Sequence, residues 1–330
     1  MTAPPLLLLG VRRSGTTLLR VMLDRSSVLA IPDESYFVPQ LAHRHGDRPK
    51  IPELVEDLRR LPTLSDWGVD PELVARRLEP GMTTGRAITA VFETYAAARG
   101  KERWGDKTPL YMQYLPVLER LFPDARYVHL IRDGRDAARS FLQMPQGIVT
   151  RTWAHPRSVA DFACQWRTEV EAARRLGGRV GARYLEIRYE DLVAAPEREL
   201  RRICAFAELP FEQTMLEYAG DIDVSGKPHQ QSLRRPPTPG LRDWRRELPP
   251  ADVRAFEEVA GDLLHELGYE SSRGPTPAGR ARLARYRALT AAWRAAGYAV
   301  QRSPLWRRRH PRCAWPSCAR SSPGAGPGRR

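Results

Sequence analysis

The chain has 330 residues, of which 42% are apolar and 28% are charged, and its formal net charge is +14. This composition is typical of a globular protein and excludes a disordered or fibrous chain. The apolar run Leu6 to Leu9 is far shorter than the roughly 18–20 residues that span a bilayer, and no basic segment precedes it. We therefore expect neither a membrane anchor nor a signal peptide. The 4 cysteines do not make a disulfide framework, which predicts a reducing, cytoplasmic location.

The positive charge is concentrated at the C-terminus. All 39 acidic residues lie at or before Glu270, and residues 275–330 hold 13 arginines and no acid. Residues 1–274 therefore carry a formal charge of only +1. We predict a nearly neutral α/β domain over residues 1–274 and an Arg-rich tail over residues 275–330.

The tail is predicted to be partly helical and then disordered. Residues 278–298 have helical periodicity, and the proline-rich and glycine-rich residues beyond position 303 do not favour a packed element. We expect the helix to pack on the body through a stripe of four apolar residues, with binding to an anionic surface as the alternative. The stripe consists of Leu283, Tyr286, Leu289 and Trp293. The alternative for the end of the tail is a zinc site at Cys313, Cys318 and His310.

The body shows the pattern of βα units around a parallel sheet, because short apolar runs alternate with stretches of helical periodicity. Strands are predicted at Leu6 to Val11, Arg126 to Ile131 and Arg183 to Tyr189. Helices are predicted at Thr16 to Arg25, Arg135 to Met144, Ser158 to Leu176, Pro196 to Ala207 and Val253 to Leu267, the last ending at Gly268. Residues 40–103 are predicted as a helical insertion over the sheet. The predicted fold is a three-layer α/β/α domain with a central parallel sheet.

A glycine-containing loop connects the first predicted strand to the first predicted helix. Its free N–H groups at a helix N-terminus would form an anion cradle, which predicts a P-loop-like fold. The spacing resembles a Walker A loop, but Thr16 stands where an NTPase has its lysine, which argues against ATP or GTP hydrolysis. The loop residues predicted to bind phosphate are Arg12, Arg13, Ser14, Gly15, Thr16 and Thr17.

A second anion site is predicted at the end of the strand Arg126 to Ile131. Arg132 follows this strand directly, and Ser140 lies eight positions later, two turns into the next helix. A guanidinium at the carboxyl end of a strand points at the crevice where open α/β sheets bind ligands. The alternative is that Arg132 and Arg135 pair with Asp133 and Asp136 on a solvated face.

The stretch Gly10 to Asp24 resembles the 5′-phosphosulfate loop of the PAPS-dependent sulfotransferases, most of all that of the protein-tyrosine sulfotransferases and the bacterial group that shares their loop. The Arg132 and Ser140 pair resembles the 3′-phosphate motif of the same family. The resemblance implies that PAPS is the co-substrate and that Arg132 and Ser140 hold its 3′-phosphate. It also places Tyr189, in the segment Tyr184 to Leu192, near the adenine or the nucleotide phosphates.

The resemblance implies three catalytic groups and no metal. Glu34 falls on the position of the family's proposed general base, although Asp33 replaces the first acid of the family's Gly-Glu-Glu segment. Lys107, in the segment Trp104 to Pro109, would stabilise the charge that develops around the transferred group, and Arg13 would share this role. His129 lies in mid-strand and is predicted to be a buried core residue.

The predicted reaction is sulfuryl transfer from PAPS to an acceptor hydroxyl or amine, with release of PAP. The acceptor is a small molecule or carbohydrate that residues 40–103 and 145–157 would surround, and its identity is left open. Arg234 and Arg235 could close over the nucleotide. Two alternatives stand beside this reaction: a P-loop kinase-like phosphotransferase, and a non-catalytic nucleic-acid-binding protein that uses the basic tail. The location of the charge argues against specific nucleic-acid binding.

Overall fold

The computed structural model describes residues 3–144, 155–218 and 243–302, the last five of these without their side chains. Five short strands form one sheet in the order β2-β3-β1-β4-β5, and all neighbouring strands run parallel. The strands are β1 (Leu6–Leu9), β2 (Leu29–Ala30), β3 (Arg103–Lys107), β4 (Arg126–Ile131) and β5 (Tyr184–Arg188). The central strand is β1, whose Leu6 pairs with Gly105 of β3 and with Arg126 of β4.

Fourteen α-helices occur in the described part of the chain and cover both faces of the sheet. They are α1 (Thr16–Asp24), α2 (Val38–His45), α3 (Ile51–Arg59), α4 (Pro62–Asp66), α5 (Pro71–Ala75), α6 (Thr84–Ala97), α7 (Leu115–Leu121), α8 (Gly134–Leu142), α9 (Val159–Val180), α10 (Tyr189–Ala194), α11 (Pro196–Ala207), α12 (Trp244–Glu247), α13 (Pro250–Glu266) and α14 (Pro277–Arg302). A 3₁₀ turn, Pro109–Gln113, follows β3 closely.

The alternation of side chains along β1 divides the core into two layers. Leu6 and Leu8 pack with apolar residues of α1, α10 and α11 on one face of the sheet. Leu7 and Leu9 belong to the larger core on the other face, which also contains residues of α2 to α9 and of α13. Successive residues of a strand point to opposite faces, so a run of four leucines is buried on both sides. The three-layer α/β/α architecture is confirmed.

The predicted elements are confirmed with small shifts of their ends. The strand Arg126 to Ile131 and the helix Pro196 to Ala207 have the predicted bounds. Residues 40–103 supply most of α2 and all of α3 to α6, and α6 packs on the sheet where Phe92 stacks on Trp104 of β3 at 4.4 Å between ring centroids. The insertion over the sheet is thus confirmed as helical.

Two strands and one position differ from the prediction. The sequence pattern did not indicate β2 or β3, because β2 has only two residues and β3 has the polar sequence Arg-Trp-Gly-Asp-Lys. Tyr189, predicted as the last residue of a strand, is the first residue of α10. Its side chain therefore projects from a helix start rather than from the sheet.

The helix predicted in the Arg-rich segment exists as α14, but only part of its apolar stripe is covered. Leu283 is 7% exposed and Tyr286 packs beside it, whereas Leu289 and Trp293 are 44% and 53% exposed. Arginines of α14 also reach α9, since Arg287 contacts Glu171 at 2.5 Å. The helix packs on the body through its first half, and the division of the chain at position 274 stays a prediction.

Some predictions fall outside the described residues. These concern Arg234 and Arg235, most of the loop 145–157, and the segment with His310, Cys313 and Cys318. Within the described ranges, no helix is both long enough and apolar enough to span a membrane.

Candidate active site

The predicted site residues all lie at the carboxyl end of a strand or shortly beyond it. The phosphate loop follows β1, Glu34 follows β2, Lys107 ends β3, Arg132 follows β4 and Tyr189 follows β5. Because the five strands are parallel, these ends meet at one edge of the sheet. In the strand order, β2 and β3 lie on one side of β1, and β4 and β5 lie on the other side. The order therefore reverses at β1, and such a switch point opens a crevice for ligands in α/β proteins.

The loop between β1 and α1 folds tightly and opens its N–H groups toward the crevice. Arg13 and Gly15 have φ angles of 71° and 90°, both in the left-handed region. Gly15 is the N-cap residue of α1 and has no side chain that could accept a hydrogen bond. The first N–H groups of α1 therefore receive no side-chain cap from this residue. This geometry is the one that predicts anion binding at a helix N-terminus.

Tyr189 lies over this loop and holds Arg132 on its ring. A Cβ atom on Gly15 would come within 2.4 Å of the Tyr189 ring, so glycine is needed there for space as well as for its φ angle. The Arg132 guanidinium carbon lies 4.4 Å from the centroid of the same ring, within the range of a cation–π contact. The structure thus brings Gly15, Tyr189 and Arg132 together.

Arg132, Arg13 and Ser140 form the second part of the site. Arg13 Nε donates to Ser140 Oγ at 2.8 Å, and an Arg132 terminal nitrogen donates to the Arg13 carbonyl oxygen at 3.3 Å. These contacts join the first loop to the residue after β4 and to the second half of α8. The two predicted anion motifs, 119 residues apart between Arg13 and Arg132, therefore form one continuous surface.

The alternative prediction is that Arg132 and Arg135 pair with neighbouring acids on a solvated face. Ion pairs of this kind are present, but the residues that form them are buried. Arg135 is fully buried and pairs with Asp133 at 2.7 Å and with Glu257 of α13 at 2.8 Å, which makes it a core residue. Arg132 is 8% exposed and lies 3.8 Å from an oxygen of Asp136. Burial raises the pKa of Asp136 to about 6.

Two buried hydrogen-bond donors at this edge have no partner in the described part of the chain. They are the hydroxyl of Ser14 and the Nε of Arg132. A buried polar group that is left unpaired costs about 1–3 kcal/mol, and charged groups cost more. The side chains therefore fit an anion that would accept these two hydrogen bonds.

Glu34 and Lys107 form a close pair at the mouth of the crevice. Lys107 Nζ is 2.6 Å from Glu34 Oε1 and also donates to Thr17 Oγ1 at 3.2 Å. Glu34 Oε2 accepts a hydrogen bond from the hydroxyl of Tyr36. Burial alone would raise the pKa of Glu34, but the charge and hydrogen bond of Lys107, with Tyr36 and Arg12, lower it below the ordinary value. Glu34 is therefore ionised at neutral pH.

A buried polar network fixes the backbone on both sides of this pair. Ser35 Oγ donates to Asp106 Oδ2 at 3.0 Å and lies 2.7 Å from the Tyr111 hydroxyl, while the Ser35 N–H donates to Thr108 Oγ1 at 3.0 Å. Burial raises the pKa of Asp106 to about 7. Sequence reasoning missed this network. Its only signal was that Ser35, Asp106 and Thr108 are the chain neighbours of Glu34 and Lys107.

Two further predicted residues have different surroundings. Arg12 lines a cavity of ≈ 370 Å³ between α9, α14 and the turn Pro109–Gln113. His129 is fully buried, with Nδ1 2.6 Å from the Tyr184 hydroxyl, and burial lowers its pKa to about 3. It is a core residue, as predicted. The described residues contain no cluster of three or more metal-ligating side chains, and the expectation of a metal-free site stays a prediction.

Comparisons with known proteins agree with this geometry. The chain is 26% identical to protein-tyrosine sulfotransferase A of Caenorhabditis elegans, over 84% of this chain and 70% of that protein. It is 27% identical to the nodulation protein NoeE of Sinorhizobium fredii, over 87% of this chain and 72% of that protein. Each match covers more than two thirds of the relative's length.

Solved structures and a family comparison complete the assignment. The sulfotransferase domain from the curacin biosynthetic pathway has the same fold, with a TM-score of 0.58 and 22% identity over 82% of this chain and 100% of that domain. The sulfotransferase domain of the Synechococcus PCC 7002 olefin synthase gives a TM-score of 0.55 at 25% identity, over 82% of this chain and 97% of that domain. The sequence model described as the sulfotransferase family matches residues 4–213. Since this match covers more than half of the chain, the protein belongs to the sulfotransferase family.

Proposed function

We propose that this sulfotransferase takes its sulfuryl group from PAPS and transfers it to an acceptor hydroxyl or amine, releasing PAP. The observation that carries the proposal is the Glu34–Lys107 pair, 2.6 Å apart, at the sheet edge where Ser14 and Arg132 keep unpaired donors. A carboxylate, an ammonium and an anion cradle are the three groups that sulfuryl transfer to a neutral acceptor requires.

The phosphates of PAPS fit the unpaired donors. The Ser14 hydroxyl and the N–H groups at the start of α1 would bind the 5′-phosphosulfate, and Arg132 with Ser140 would bind the 3′-phosphate. Tyr189 would hold the nucleotide against the loop, since its ring already lies over Gly15. The 3′-phosphate distinguishes PAPS from ATP, so the Arg132 group would provide the nucleotide selectivity.

Glu34 would act as general base on the acceptor. Its carboxylate takes the proton of the acceptor hydroxyl or amine while that atom bonds to sulfur and the bond from sulfur to the bridging phosphate oxygen breaks. The pKa of Glu34 lies below its ordinary value in the present pairing. As Lys107 shares its charge with the developing negative charge of the transferred group, its effect on the pKa of Glu34 weakens and the carboxylate becomes a better proton acceptor.

Lys107 would stabilise the charge that grows on the bridging oxygen. Its side chain is only 3% exposed, and a cation in such a site acts more strongly than one in water. Thr17 Oγ1 and Glu34 Oε1 fix the ammonium from two sides at 3.2 Å and 2.6 Å. Arg13, held by Ser140, would add a second positive group beside the loop.

Calorimetry with PAP and with ATP tests the donor part of the proposal. We expect PAP to bind more tightly than ATP, and Arg132→Ala to weaken PAP binding about 10-fold to 100-fold with a smaller effect on ATP. Arg198→Ala is the matched control, since the Arg198 side chain is 66% exposed and its one ion pair within the described ranges is with Glu199. Equal affinity for PAP and ATP, or an unchanged PAP affinity in Arg132→Ala, would contradict PAPS as donor.

A further inference from the structure

The ≈ 370 Å³ cavity lined by Arg12 is large enough for a small acceptor. Residues of the turn Pro109–Gln113 form part of its wall, and this turn follows Lys107 after a single residue. Arg12 belongs both to the phosphate loop and to the cavity wall, and its charge acts on Glu34 and on Glu169. The phosphate loop and the segment that follows Lys107 therefore both contribute to the wall of the cavity.

Glu169 gives the cavity a buried acceptor group that the described part of the protein does not satisfy. Its side-chain Oε1 accepts hydrogen bonds from Gln165 at 2.9 Å and from Gln113 at 3.3 Å. Its other oxygen, Oε2, is buried and has no hydrogen-bond partner among the described residues. Glu169 as a whole is only 5% exposed, and burial raises its pKa to about 7. A ligand hydroxyl or N–H would satisfy this oxygen.

The opposite wall of the cavity is aromatic and comes from α14. Tyr286 and Trp293 line it, and Trp293 is 53% exposed although it is a large apolar side chain. Exposed aromatic rings beside a pocket with a few convergent polar groups are typical of ligand sites. The flat ring of Trp293 would support the face of another ring, while Thr290, one turn before it, adds a hydroxyl.

Three of the four arginines around the cavity are already engaged by the protein. Arg179 contacts Glu119 at 2.7 Å, Arg175 contacts Glu171 at 3.5 Å, and Arg294 donates to the carbonyl oxygen of Gln113 at 3.1 Å. The polar groups left for a ligand are therefore the guanidinium of Arg12, the carboxylate oxygen of Glu169 and the neighbouring amides. Because Arg12 and Glu169 carry opposite charges, this set suits an uncharged ligand with several hydroxyls better than an anion.

We propose that this cavity is the acceptor site and that it takes a hydroxylated ring of monosaccharide size, stacked on Trp293, with Glu169 accepting a hydrogen bond from a ring hydroxyl that is not sulfated. The proposal rests on the sulfuryl transfer proposed above and adds the substrate class. It also gives the helix of the Arg-rich segment a role in the active site. Glu169 is here a binding residue for the acceptor and takes no part in the transfer step.

The test uses the full chain, labelled PAPS and three classes of probe. The probes are methyl glycosides of glucose, galactose, mannose and N-acetylglucosamine, cyclohexanol as a ring with a single hydroxyl, and p-cresol as a phenol. Sulfation of at least one methyl glycoside with a much lower KM than cyclohexanol is the expected result, because a site built for hydroxyls rejects analogues that lack them. Sulfation of p-cresol alone, or of no glycoside while PAP still binds, would overturn the substrate class.

Variants then connect the preference to the cavity. We expect Glu169→Gln and Trp293→Ala to raise the glycoside KM about 10-fold to 100-fold, with kcat and PAP affinity unchanged. Leu289→Ala is the control, because Leu289 lies on the same helix, is 44% exposed and does not line the cavity. An unchanged KM in both variants overturns the site. Loss of PAP binding by the wild-type protein would instead contradict the proposed donor, so the two failures are distinguishable.

Discussion

Glu34 depends on Lys107 for its negative charge. The 2.6 Å contact keeps Glu34 ionised although burial alone would raise its pKa. A base that is ionised in the resting enzyme does not need to lose a proton before the acceptor binds. The position of both residues could be predicted from motif resemblance, whereas their direct contact could not, because they are 73 residues apart in the chain.

Removal of the Glu34 charge is expected to slow transfer far more than it weakens binding. Glu34→Gln keeps the shape but cannot take the acceptor proton, so turnover should fall about 100-fold to 10,000-fold while PAP affinity stays within a few-fold. The measurement is transfer of labelled sulfate, with calorimetry for PAP. Glu53→Gln, at a side chain that is 63% exposed, serves as the control. Normal turnover in Glu34→Gln would remove this residue from the mechanism.

The low pKa of Glu34 also predicts the pH dependence of the wild-type enzyme. Its pKa lies below 4.5, so the active carboxylate persists when the pH falls from 8 to 6. We expect no loss of kcat/KM over this interval from protonation of Glu34, because this parameter reports the pKa values of the free enzyme. A rate that falls with an apparent pKa between 6 and 8 and becomes flat in Glu34→Gln would show instead that this carboxyl titrates there.

Glu169 shows what residue-level reading of a sequence cannot provide. It lies in the middle of a long helix beside Arg167 and Glu171, which pair with each other at 2.8 Å on the outer side. In sequence, such charges resemble a solvated helix face. Only the packing of Gln113 and α14 against Glu169 buries it and turns it into a candidate ligand for an acceptor.

At the level of elements, a strand that carries site residues can be too polar to be predicted from the sequence. β3 ends in Asp106 and Lys107, so the residues that make it functional remove the apolar run that would predict a strand. Gly105 adds to this effect, yet a Cβ there would come within 2.6 Å of the Leu6 carbonyl oxygen of the neighbouring strand. The sheet partners of β3 determine its structure, and these partners, β2 and β1, lie about 75 and about 100 positions earlier in the sequence.

The turn from β1 to α1 gives a test at the same scale. Gly15→Ala introduces a Cβ 2.4 Å from the Tyr189 ring at a φ angle of 90°. We expect a loss of about 1–3 kcal/mol in the free energy of unfolding and weaker PAP binding, because the Tyr189 and Arg132 cluster must move. Thermal denaturation and calorimetry with PAP measure the two effects.

Gly178 of α9 provides the matched control for that substitution. Nothing lies within 4 Å of a Cβ built there, and its φ angle is not positive. Gly178→Ala should therefore leave PAP binding unchanged and stabilise the protein by up to about 1 kcal/mol. Equal effects of the two alanines would mean that Gly15 has no special role in the loop.

For the whole molecule, buried acids set the dependence of stability on pH. Burial raises the pKa of Asp106 to about 7 from an ordinary value near 3.8. At pH values between these two, Asp106 keeps its proton in the folded state but has lost it in the unfolded state. The contribution of Asp106 to stability therefore falls as the pH rises from about 4 to 7. Asp136 and Glu169, with pKa values raised to about 6 and about 7, act in the same direction.

Asp106→Asn isolates this effect. The variant cannot ionise, so its free energy of unfolding relative to the wild-type protein should increase steadily between pH 4 and pH 7 and become constant above about pH 8. Urea denaturation at a series of pH values measures the difference. A difference that is independent of pH would mean that Asp106 ionises in the folded protein as it does in the unfolded chain.

The order of the strands also affects folding during synthesis. β1 is made first, yet its partners Gly105 and Arg126 follow about 100 and 120 residues later in the chain. At a synthesis rate of about 5–20 residues per second, the leucine run of β1 is synthesised at least about 5 seconds before either neighbour exists. During that interval the most apolar strand of the sheet has no strand beside it to pair with. Newly made chains of this enzyme should therefore depend on chaperones for the protection of their first ten residues.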